Sequence, residues 1–217
     1  MKKKIILLLT ISFIYFFSCK KKELKNENTY TEFVKDTLFI YDQSGSIKSK
    51  GQLDNNSKTN WWFYYDASGH LRSKIEYKII NDICYENQNI YYKKNNSIDS
   101  DISSFFEIEI ADTLNLGKNL GQIKKYNTNF KGDDNLLSVI VENRYSVNEV
   151  KNDTFSDGTL TPSFGIFALK KGKQKVNIIL LEEVLNEVRI KKDSSVIRIL
   201  KHKKYFEKEV YVKDTID

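Results

Sequence analysis

Apolar residues fall into three patterns along the chain. Residues 5–17 form an unbroken run without a charge. From 37 to 103, short aromatic stretches alternate with small polar clusters. Beyond 104 the pattern has period two. Phe106, Ile108 and Ile110 alternate with Glu107 and Glu109, Val176 is followed by Ile178 and Leu180, and Phe206, Lys208, Val210 and Val212 occupy every second position. Successive side chains on a strand point to opposite faces, so this period marks half-buried strands. The runs 137–142 and 164–169 read as further strands. Polar or glycine-bearing clusters at 117–121, 131–135, 153–159, 170–173 and 191–194 read as turns between them. About seven short strands at such spacing predict an antiparallel β-sandwich over 104–217. In 180–188, Leu181, Val184, Leu185 and Val188 also fit the spacing of a helix face, while the surrounding Ile and Val favour strand. Sequence leaves that stretch open between the two.

The middle region repeats. Tyr41, Gly45 and Ile47 recur 24 residues later as Tyr65, Gly69 and Leu71, Leu53 recurs as Tyr77, and Trp61 as Tyr85. A further copy follows at 27, with Tyr92, Asn96 and Ile98. The clusters before Gly45 and Gly69 are turn chemistry, because glycine takes positive φ without a steric cost and asparagine is the next best residue there. A ladder of β-hairpins over 37–103 follows. Tyr41, Gly45, Gly51, Trp61, Tyr64, Tyr65, Gly69, Leu71, Tyr77, Tyr91 and Tyr92 resemble the MORN repeat in its bacterial form. Ile75 and Asn60 stand where that pattern has glycine, and the third unit lacks glycine. The resemblance implies a hairpin-repeat surface that serves as a binding face or spacer; some bacterial relatives are labelled antitoxins. Within Trp61-Trp62-Phe63-Tyr64-Tyr65, Trp61, Phe63 and Tyr65 share one face and Trp62 and Tyr64 the other. Trp62 and Tyr64 are the candidate ligand-binding residues, a stacking platform for a sugar or peptide; the alternative is that both faces are buried.

The first residues give location. Lys2, Lys3 and Lys4, then the apolar run, then Ser18 and Cys19 describe a secretory signal too short to span a bilayer as a helix. The stretch 14–19 resembles a bacterial lipoprotein lipobox, with Phe16 where leucine is usual. That resemblance implies cleavage after residue 18, acylation of Cys19 (palmitate among the chains) and attachment to the bilayer. Lys20 in place of Asp permits sorting to the outer membrane. Residues 19–36 are polar and without period, and read as a flexible tether. The expected organisation is a signal peptide at 1–18, a tether at 19–36, MORN-like hairpins at 37–103 and a sandwich at 104–217. The stretches 164–179 and 109–114 resemble strands of bacterial immunoglobulin-like domains, without a Cys…Trp…Cys signature.

Charge and chemistry narrow the function classes. The formal net charge of +6 falls to +3 once the three signal lysines leave, and Lys20–Lys22 would lie at the lipid surface, so nucleic-acid binding loses its support. Two cysteines and one proline exclude a disulfide scaffold and a proline-rich chain. His70 reads as a turn residue, and His202, in the basic stretch 201–204, as part of a solvated loop. Cys84 reads as buried packing. The stretch from Asp153 to Gly158 half-matches a calcium loop but has Phe155 where an oxygen ligand belongs. Glu107 and Glu109 share a strand face about 7 Å apart, within range of a glycosidase pair but equally the wet face of a strand. No catalytic residue, metal site or cofactor is expected. The expected function is a non-enzymatic envelope module for a protein or glycan partner. A divergent glycan hydrolase and a toxin-neutralising immunity lipoprotein are the alternatives.

Overall fold

The computed structural model describes residues 29–126, 134–191 and 194–214, which form fourteen strands and no helix. The first six make one antiparallel meander in sequence order: β1 (Thr29–Val34), β2 (Thr37–Asp42), β3 (Ile47–Asp54), β4 (Ser57–Tyr65), β5 (Leu71–Ile80) and β6 (Ile83–Tyr91). Two kinds of turn alternate along it. Asn55-Asn56 and Asn81-Asp82 close β3–β4 and β5–β6, all four at positive φ of 47–64°, the backbone a two-residue hairpin needs. The turns after β2 and β4 are capped by a carboxylate. Asp42 Oδ1 accepts from the N–H groups of Ser44 and Ser46, and Asp66 Oδ1 from those of Ser68 and His70. Gly45 and Gly69 take φ of 85° and 79° there. The same backbone bonds recur from Lys93 to Ser97, with Asn96 at φ 63°. The sequence repeat is thus one turn built three times.

Strand β1 corrects the expected tether. Thr29–Val34 pairs along its length with β2, so within the described residues the sheet begins inside the stretch read as 19–36. Its residues are nearly all exposed, and such an edge strand carries little apolar period to betray it.

The remaining strands form two sheets. β11 (Val150–Phe155), β10 (Asp134–Arg144), β13 (Gly172–Lys191), β14 (Ser194–Lys213) and β8 (Thr113–Asn115) lie side by side in that order; β12 (Ser163–Ala168), β9 (Gly117–Tyr126) and β7 (Phe105–Glu109) make the second sheet. All neighbours are antiparallel except β14 and β8. Inward-facing residues of both sheets, among them Ile123, Val139, Phe164, Ile178, Leu180 and Val212, form one buried core. Each such side chain contributes about 1.5–3 kcal/mol through burial. The fold is mainly β and sandwich-like, as the alternation predicts.

Three boundaries differ from the sequence reading. Residues 117–121 are not a turn but the start of β9. Gly121 lies in strand because Phe164 packs on it, where an added Cβ would meet that ring at 2.4 Å. Strand β11 runs to Phe155, into the expected 153–159 turn. The stretch 180–188 is strand, inside a hairpin of two 20-residue arms. Residues 131–133, part of another expected turn, and 192–193 lie outside the described residues.

Candidate functional site

The aromatic strand β4 divides as its period requires, but the two faces have unlike surroundings. Trp62 is 1 % exposed. Its ring lies on Gly51, where a Cβ would sit 2.4 Å away, and its Nε1–H donates to the Gln52 carbonyl at 2.9 Å. Tyr64 is half-buried beside it, with its hydroxyl 3.0 Å from that of Tyr77. Lys58 closes the group: its Nζ lies 4.6 Å from the Trp62 ring centroid, 5.2 Å from those of Tyr64 and Tyr77, and donates to the Tyr64 hydroxyl at 2.8 Å. With Leu38 and Cys84 these rings are the core of the meander. Trp62 therefore offers no ring face to a ligand, and Tyr64 gives its hydroxyl to the internal lysine. The accessible aromatics of β4 are Trp61, Phe63 and Tyr65, on the other face.

Where the meander meets the sandwich, a buried polar seam replaces hydrophobic packing. Asn87 of β6 donates through Nδ2 to Glu76 at 2.6 Å and to the Tyr205 carbonyl at 2.9 Å, and its Oδ1 accepts from the Tyr205 N–H at 2.6 Å. Gln88 donates to Glu76 and accepts from the Phe106 N–H. Lys204, on β14, donates to the carbonyls of Asn87 and Ser104 at 3.0 and 3.1 Å. Lys125 pairs with Glu182 at 2.5 Å and donates to the Ser104 hydroxyl. Glu182 also meets His202 Nδ1 at 3.1 Å. Burial and the charge of Lys125 lower the Lys204 pKa to about 7, against the weaker pull of Glu182 and Glu76. Burial raises the Glu182 carboxyl, but His202 and the two lysines outweigh it and hold it below the usual range.

Beside the seam lies an open groove of about 530 Å³ between the two bodies. Isoleucines of β5, β10 and β13 with Tyr205 and Phe206 form its apolar part, and amides of Asn60, Asn152 and Asn177, the carboxylates of Asp54, Glu142 and Glu207 and the Lys78 ammonium form most of the rest. Polar and apolar residues share the lining about equally, and the groove lies at a boundary between two folded bodies, a preferred place for ligand sites. Tyr205 belongs to both, its backbone bonded in the seam and its side chain in the groove lining.

The other sequence candidates are dispersed. Glu107 and Glu109 lie exposed on β7, and Glu107 accepts from the Tyr126 hydroxyl at 2.6 Å. Asp153 accepts from Asn143 and Tyr145, which hold its carboxyl below the usual range; Tyr145's bond is the larger cause. Asp157 caps its own turn through Thr159. Among the described residues no group of three His, Cys, Asp or Glu could hold a metal ion. His70 is an exposed turn residue 3.7 Å from Asp66. His202 is not in a loop: the basic stretch 201–204 is strand, and its ring faces Glu182. Cys84 is buried, donating to the Lys58 carbonyl at 3.4 Å. Cys19 lies outside the described residues. No helix among the described residues is long and apolar enough to cross a membrane. No family model, curated protein or solved structure matches the chain.

Proposed function

We propose that this chain is an envelope lipoprotein, anchored to the outer membrane through acyl chains on Cys19, that serves as a non-enzymatic binding module for a protein or glycan partner. The groove between meander and sandwich is its receptor site. The observation that carries the reading is the pairing of that groove with the seam. Asn87, Gln88 and Lys204 join the two bodies beside the groove with hydrogen bonds, which pre-organises its walls. The mixed lining suits a sugar ring or a short peptide, whose own surfaces mix polar and apolar groups. The location rests on the basic start, the apolar run and Ser18-Cys19.

Two measurements test this. Radiolabelled palmitate should enter the wild-type chain and not Cys19→Ser, which should leave the membrane fraction; equal labelling of both would end the lipoprotein reading. A photo-crosslinking residue at Asn177, in the groove, should capture an envelope component that one at Lys118, exposed on β9, does not. Capture at Lys118 alone would place the partner elsewhere.

A further inference from the structure

The face of the meander opposite Trp62 carries Tyr30, Phe39, Tyr41, Trp61, Phe63 and Tyr65. The rings of Tyr30 and Tyr41 stack at 4.8 Å, and those of Phe39 and Tyr41 at 6.2 Å. Two lysines interleave with them. Lys50 Nζ lies 5.7, 5.9 and 5.8 Å from the centroids of Phe39, Phe63 and Tyr65, and Lys74 Nζ lies 4.9 Å from that of Trp61. Aromatic faces attract an ammonium but leave its three N–H donors without an oxygen. Among the described residues neither lysine has a carboxylate, carbonyl or hydroxyl partner. Several lysines of the sandwich are paired instead, Lys173 with Glu209, Lys175 with Glu207 and Lys208 with Asp112. The acids of this face are spent as well. Glu32 accepts from the Tyr41 hydroxyl, and Glu76 serves Asn87, Gln88 and Lys78.

The placement of the two ammonium groups is specific. Lys50 and Lys74 both stand opposite Phe63, one on each neighbouring strand. Neighbouring strands lie about 4.8 Å apart, so the two backbones are separated by about 10 Å with an aromatic ring between. Cations without counter-ions, half-buried and held at a set spacing, are complementary to a polymer that carries anions at intervals. The rings between them are half-buried too, so none projects as a wedge able to enter acyl chains.

We propose that this face binds an acidic glycan, a chain of sugar rings carrying carboxylates, with Lys50 and Lys74 each pairing one acid group and the intervening sugar lying against Phe63. The site shares no lining residue with the groove, so it goes beyond the groove reading, and either can fail without the other.

Calorimetric titration of the mature chain with oligogalacturonate tests the proposal, beside the same oligomer with its carboxyls methyl-esterified. The acid form should bind and weaken with salt, while the ester should not. Losing one charge-assisted hydrogen bond costs about ten-fold in affinity, so K50Q/K74Q should weaken binding by about a hundred-fold. K118Q/K170Q, which removes the same charge from exposed lysines of the sandwich, should leave it unchanged. Equal binding of acid and ester would overturn the proposal, and so would equal weakening by the two double variants. Binding to phosphatidylglycerol vesicles in preference to the oligomer would overturn it in favour of a lipid surface. Should K50Q/K74Q fail to fold, the acid-against-ester comparison on the wild-type chain still decides.

Discussion

Lys204 is the residue whose chemistry departs furthest from its type. Its pKa of about 7 in the folded chain lies well below the ordinary value of about 10.4 expected once unfolded. Between those two values the unfolded chain holds a proton that the folded chain lacks. Stability therefore rises with pH across that window and is flat below it. Glu182 acts in the same direction at the acid end. Its carboxyl is held low in the fold, so its contribution is present above the ordinary carboxylate range and lost as pH falls through the folded value. The expected outcome is a denaturation midpoint that climbs from pH 7 to 10; Lys204→Met should flatten most of that climb, the remainder coming from Lys125, whose pKa burial also lowers. An unchanged slope in Lys204→Met would assign the effect to another group. Sequence held a signal for this cluster. Val176, Ile178 and Leu180 put Glu182 on the inward face, Phe206 to Val212 put Lys204 and His202 there, and Ile123 puts Lys125 there. Each charged residue continues an apolar phase. The expected solvated loop at 201–204 followed composition where period was the better guide, because a buried lysine requires partners that only the tertiary fold brings.

At the scale of single strands, the turns were the most legible feature and the long strands the least. Glycine and asparagine at a fixed interval report positive φ directly, so the hairpin ladder could be read before any contact was known. Asn60 extends this. It stands where the resembling repeat has glycine, and its φ is 56°. Asparagine is the side chain that tolerates this region best; a β-branched residue there is strained by about 1–2 kcal/mol. Asn60 also donates to Gln52 Oε1 at 2.7 Å, an exposed bond of small net value. Asn60→Gly exchanges that bond for relief of backbone strain and should shift stability by less than about 0.5 kcal/mol. Asn60→Val should cost about 1–2 kcal/mol in urea unfolding, with the m-value unchanged. A neutral valine would mean that the strand start relaxes to negative φ. Sequence reading caught only parts of the two 20-residue arms of β13 and β14, at 176–180 and 206–212; their full length was missed where it left 180–188 open and read 201–204 as a loop. Charges along these arms form cross-strand pairs in the fold, Lys175 with Glu207 and Lys201 with Glu183, which support register at no more than about 1 kcal/mol each.

At the scale of the whole molecule, the change of period near 103–104 falls between the end of β6 and the start of β7, but the join between the sheets was not legible. The seam depends on Asn87 and Gln88, polar residues in a strand whose alternation gives no hint that they are buried. Asn87 uses both ends of its amide, and removing it leaves the Tyr205 N–H and the Glu76 carboxylate short of a buried partner. A buried donor or acceptor left unsatisfied costs about 1–3 kcal/mol. The loss falls on the contact between the bodies rather than within either, so it should reduce their cooperativity more than their separate stability. Both tryptophans lie in β4, so tryptophan fluorescence follows the meander alone, whereas far-UV circular dichroism follows every strand. In the wild-type chain the two denaturation curves should coincide, as expected of one cooperative unit. In Asn87→Ala they should part, the fluorescence transition moving to lower denaturant. Coincident curves in the variant would show that the bodies are coupled through other contacts, and the pre-organisation of the groove would then need a different source.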